Sequence, residues 1–143
     1  GPLPAADVSA RPDAQEQAEL SRRAEQLRAR HLPEAPAPSA VVYSTKQRHR
    51  WGSCTPETRR IRISAQLAPM PGWVRDAVLV HELAHLIEPG HGRAFRRLVD
   101  RFPRYGEAMA FLDGVTYATG RGLQAHQVPE PDTPERSPDD APR

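Results

Sequence analysis

Residues 73–87 read WVRDAVLVHELAHLI, the strongest structural signal in the chain. Val74, Ala77, Val78, Leu79, Val80, Leu83, Ala84, Leu86 and Ile87 cover most of a helical circumference. A helix that is apolar nearly all round is a buried one. Yet His81, Glu82 and His85 sit inside it, and such groups are costly to bury without partners. In a helix, residues four apart differ by about 40° in direction and about 6 Å in rise, so both imidazoles project from one face and reach one metal ion. Glu82 lies about 100° from His81 and about 60° from His85, so it is aimed beside that metal. This placement suits a general base acting on water better than a ligand.

A catalytic zinc site takes three protein ligands and keeps one position for water. Pro89-Gly90 breaks the helix and lets the chain turn back, which makes His91 the expected third ligand. Glu88 is its rival, because it lies near the same helical face as His81. Cys54 is the single cysteine, so an internal disulfide and a cysteine-based zinc site are both excluded. The expected cofactor is Zn2+, and the expected reaction is metal-assisted hydrolysis with Glu82 as the base.

Outward from this helix the chain reads as α+β. Residues 41–45, VVYST, are β-branched and aromatic and predict a strand. Residues 55–58 form a turn signal, and Ile61–Ser64 alternates apolar and polar as a half-buried strand does. Together they predict a small antiparallel sheet packed on the active-site helix. Asp13 caps a helix running to about Leu32, with Leu20, Ala24, Leu27 and His31 as a thin apolar stripe. Pro33, Pro36 and Pro38 then make a stiff connector. Two further helices are expected, at 92–102 with Phe95, Leu98, Val99 and Phe102, and at 104–118 with Met109, Phe111, Leu112 and Val115. The domain reading is therefore disorder over 1–12, a helix and connector over 13–39, the catalytic domain over 40–121, and a disordered acidic tail over 122–143.

A length of 143 residues suits one domain, and the mean hydropathy of −0.68 fits polar tails that dilute a smaller core. No window approaches the roughly 18 consecutive apolar residues of a membrane span. No charged start and apolar run of a signal peptide is seen. A cytoplasmic monomer is the expectation. Residues 41–121 carry 13 basic and 7 acidic side chains, a net of +6, against −3 for residues 122–143. Lys46, Arg48, Arg50, Arg59, Arg60 and Arg62 cluster in sequence. Such a cluster forms a solvated face or supports weak association with nucleic acid.

A resemblance joins these parts. Residues 50–54, RWGSC, the strand Ile61–Ser64, the VHELAHL run of residues 80–86, His91 with Phe95, and Pro103 with Tyr105 appear in the order seen in the YgjP-like metallopeptidase family. This zincin group is similar to the SprT-like and WLM proteases, and the resemblance covers about residues 41–115. It implies zinc held by His81, His85 and His91, Glu82 as the catalytic residue, a polypeptide substrate and a minimal zincin fold. The histidine spacing also equals that of metzincins, but Glu88 stands where those have glycine. Candidates for substrate binding or for stabilising the oxyanion are His49, Tyr105 and Tyr117. Zincins that resemble this chain bind peptide beside an edge strand, here expected to be Ile61–Ser64. Two other readings are a SprT-like protease acting on nucleic-acid-bound proteins and a zinc-stabilised binding module without turnover. The intact Glu82 speaks against the second, since a structural site needs no such carboxylate.

Overall fold

The computed structural model describes residues 11–47 and 49–121, so the segments expected to be disordered lie outside the described residues apart from Arg11 and Pro12. The chain runs α1 (Ala14–His31), β1 (Ala40–Ser44), β2 (Gly52–Thr55), β3 (Arg60–Ser64), a short 3-10 turn at Ala65–Leu67, α2 (Gly72–Ala84), α3 (Arg93–Val99) and α4 (Tyr105–Thr116). The α+β class is as expected. No described helix is long and apolar enough to cross a membrane.

α1 starts where Asp13 predicts. The Glu16 N–H donates to Asp13 Oδ1 at 2.8 Å, and the Asp13 N–H donates to Glu16 Oε1 at 3.0 Å. This reciprocal pair satisfies two backbone donors that the first turn leaves open. Leu20, Ala24 and Leu27 are buried along one side of the helix. His31, expected on the same stripe, lies edge-on to Phe102 with ring centroids 5.7 Å apart.

The sheet is mixed, and not antiparallel as expected. Its order is β1-β3-β2, with β1 parallel to β3 and β2 antiparallel to β3. β2 is the return leg that lets β3 run alongside β1 in the same direction. The tight turn before β3 puts Arg59 at φ 58°, a left-handed conformation that few side chains adopt. Contacts to the proline-rich connector hold it there: the Ser39 N–H donates to Arg59 O at 2.9 Å, and Arg59 Nε donates to Ala37 O at 3.1 Å. Ile63 pairs with both Tyr43 and Gly52, so the strand expected to be an edge is the middle one. Successive strand side chains point to opposite faces. Ile61 and Ile63 therefore face the core, both at 0% exposure, while Arg60 and Arg62 face the other way.

The two margins of the sheet differ. Along β1, Gln17 of α1 donates from Nε2 to Val41 O at 2.7 Å and accepts at Oε1 from the Tyr43 N–H at 3.1 Å. A helix side chain thus covers polar groups that an outer strand would otherwise leave exposed. β2 forms the other margin.

α2 packs against β2, β3, α1, α3 and α4, and its residues from Ala77 to Ala84 are all buried. It ends at Ala84, three residues before the expected Ile87. The chain tightens there, with the N–H groups of Ile87 and Glu88 both donating to Ala84 O at 3.0 and 2.8 Å. α1 is tied to α2 by Arg23, which donates to the buried Asp76 from Nε and Nη2 at 3.1 and 3.0 Å.

Candidate metal centre

His81 and Glu82 lie in the last turn of α2, and His85 is the residue that closes it. Burial is nearly complete, with exposures of 7% for His81, 2% for Glu82, 9% for His85 and 8% for His91. After Pro89-Gly90 the chain bends back and delivers His91 just ahead of α3. The Nε2 atoms of His85 and His91 are 3.0 Å apart, and those of His91 and His81 are 3.4 Å apart. Ligand atoms of the three residues all fall within 4.8 Å of one another. A tetrahedral ion that holds nitrogen at about 2.0–2.1 Å sets its ligands about 3.3 Å apart, so this donor set fits one metal ion.

The outer ring nitrogens orient the inner ones. Nδ1 of His85 lies 3.1 Å from the carbonyl of Glu88. A carbonyl only accepts, so Nδ1 carries the proton and Nε2 of the neutral ring presents its lone pair. Nδ1 of His81 lies 2.8 Å from the Tyr105 hydroxyl, which accepts from it when Nε2 serves as the ligand. Phe95 braces all three rings. It stacks on His85 at 4.5 Å and meets His81 and His91 edge-on at 4.9 and 4.8 Å.

A cavity of about 450 Å³ opens beside His81, Glu82 and His91. Trp51, Val78, Phe95, Val99, Met109 and Leu112 form apolar walls, while Arg96, Asp100 and Asp113 are the charged groups around them. Burial pushes the Asp113 carboxyl above its ordinary pKa.

The structure therefore brings His81, Glu82, His85, His91 and Tyr105 into one site. Glu88 contributes its backbone carbonyl there. His49 and Tyr117 are not among the residues lining the cavity, and Tyr117 is 59% exposed. In the sequence Gly52 and Phe95 stood out only as parts of the family resemblance, with no role assigned to either at the metal site. The available signal for Phe95 was its place four residues after His91, at the start of a short helix.

A family model described as YgjP-like, metallopeptidase domain, matches residues 7–113. That span takes in α1, the whole sheet, all three histidines and most of α4. No curated protein and no solved structure matches the chain.

Proposed function

Because the chain belongs to the YgjP-like metallopeptidase family, we propose that it is a zinc-dependent peptidase with His81, His85 and His91 as ligands and Glu82 as general base. The observation that carries this reading is the convergence of three imidazole Nε2 atoms, with 3.0 Å between His85 and His91 and 3.4 Å between His91 and His81, next to a buried carboxylate that lines the same cavity. Nitrogen donors without sulfur suit zinc, and three protein ligands leave a position open. Bound there, zinc supplies Lewis acidity and a water acidified to near neutrality.

The remaining steps belong to the chain's own residues. Glu82 takes a proton from the attacking water at its carboxylate. A bond forms from the water oxygen to the peptide carbon, the carbon–nitrogen bond breaks, and Glu82 hands the proton to the leaving amine. Burial keeps bulk water away from that carboxylate and strengthens its electrostatic influence. Tyr105 is the favoured oxyanion donor of the three candidates because it lines the cavity. A hydroxyl that accepts from His81 can still donate its own proton. β2, as a margin of the sheet adjoining the cavity through Gly52, is the strand beside which an extended substrate would lie.

The test is metal analysis joined to a peptidase assay on unfolded and folded polypeptides. We expect one zinc per chain, and Glu82→Gln should keep it while lowering hydrolysis by about 10²–10⁴-fold, the usual contribution of a positioned base. Turnover retained by a zinc-replete Glu82→Gln protein would remove Glu82 from that role. A Zn–S distance of about 2.3 Å by X-ray absorption would overturn the ligand set.

A further inference from the structure

Gly52 opens β2 and faces α2, and the space its missing side chain would occupy is already taken. A Cβ built on Gly52 would lie 2.9 Å from Glu82 Oε2, 3.0 Å from Val78 Cγ1 and 3.2 Å from the Arg62 carbonyl oxygen. Real Cβ atoms essentially never approach another heavy atom as closely as 2.9 Å. No positive φ occurs at any glycine among the described residues, so backbone freedom is not what position 52 requires. What it requires is the absence of a side chain.

We propose that Gly52 is a positioning residue for Glu82: a bare backbone on β2 forms the wall against which the base carboxylate rests. This inference builds on the proposed role of Glu82 and adds a second element to it. The carboxylate is set by α2 at its root and by β2 at its tip. Of the three crowded neighbours, the Arg62 carbonyl belongs to the middle strand and Val78 is packed in α2. The carboxylate tip is the one that can swing aside by side-chain rotation. An added methyl at position 52 should therefore spare the fold and displace the base. Displacement by about 1 Å can cost on the order of a hundredfold in rate.

Gly52→Ala tests this, compared with the parent protein in zinc content, melting temperature, kcat, KM and crystal structure. Zinc content and melting temperature should stay close to the parent. The crystal structure should show the Glu82 carboxylate moved away from β2. The loss should fall on kcat, by about a hundredfold, with KM changed much less. A cycle with Glu82→Asp separates positioning from general damage, because the shorter carboxylate no longer reaches position 52. The methyl should then cost several-fold less in the Asp background than in the Glu background. Equal costs in both backgrounds would overturn the proposal. So would an undisplaced carboxylate, or a Gly52→Ala protein that loses its cooperative melt, since the strain would then have fallen on the backbone. If the parent protein itself hydrolysed no peptide, the proposed function would fall, while the crystallographic position of Glu82 would still decide the contact with Gly52.

Discussion

At the scale of single residues, the site was legible where chemistry and spacing coincide. His81, Glu82 and His85 lie in one helical turn, and only an ion or a set of buried partners makes such a trio tolerable in an apolar helix. His91 was harder, because its approach depends on how the chain turns at Pro89-Gly90, and Glu88 competed with it on spacing alone. The geometry supports His91 as the ligand and Glu88 as its neighbour. The Glu88 carbonyl receives the His85 Nδ1–H, while His91 brings Nε2 to 3.0 Å from its counterpart on His85. Zinc affinity across three variants tests this division of labour. His91→Ala should lose tight binding. Tyr105→Phe removes the partner of His81 Nδ1 and should weaken affinity by about 10–100-fold. Glu88→Ala keeps its carbonyl and should bind zinc like the parent protein. Normal zinc binding by His91→Ala with loss in Glu88→Ala would exchange the assignments. Nothing in the sequence marked Gly52 as adjacent to Glu82, since that contact exists only once β2 lies against α2.

At the scale of elements, helices were easier to read than strands. α1 carries an apolar stripe and a capping Asp13, and α2 is a long apolar run bounded by Pro71-Gly72 and Pro89-Gly90. β2 was missed because Gly52-Ser53-Cys54-Thr55 is four small residues without alternation, next to a turn signal. The direction of β1 relative to β3 was also hidden, because parallel and antiparallel pairs of short strands share the same composition. Two polar clamps between elements give measurable consequences. Asp76, 6% exposed, accepts from Arg23 across the α1–α2 contact and from Arg75 on its own helix. Asp76→Ala removes these charged hydrogen bonds and should destabilise the protein by about 2 kcal/mol, read from the urea midpoint. No change in the midpoint would show that the clamp is energetically idle. The second clamp is Glu34, which receives two bonds from Arg101 at 2.9 Å each. The Arg101 guanidinium holds the Glu34 carboxyl down to about 2. A depressed carboxyl stabilises the fold above its ordinary pKa of about 4.3, and this contribution is lost as pH falls through about 2. Carboxyl NMR titration should give Glu34 a midpoint near 2, rising in Arg101→Ala. A midpoint near 4 in the parent protein would refute the clamp.

At the scale of the whole molecule, charge and sheet edges decide what the surface can meet. Arg60 and Arg62 point away from the core, and with Arg11 and Lys46 they line one surface cleft. Weak, salt-sensitive association with nucleic acid, expected from the basic cluster in the sequence, would fall on this cleft if it occurs. Apparent affinity for a duplex oligonucleotide should fall as salt rises from about 50 to 200 mM, and Arg60→Ala with Arg62→Ala should weaken it further. Affinity that survives the added salt undiminished would rule out an electrostatic origin. The sheet edges carry a different implication. Gln17 occupies the Val41 carbonyl and the Tyr43 N–H, so two outward pairing positions of β1 are already taken. A strand approaching along β1 must first displace Gln17 from the Val41 carbonyl and the Tyr43 N–H, so a single side chain of α1 acts as a plug on that margin.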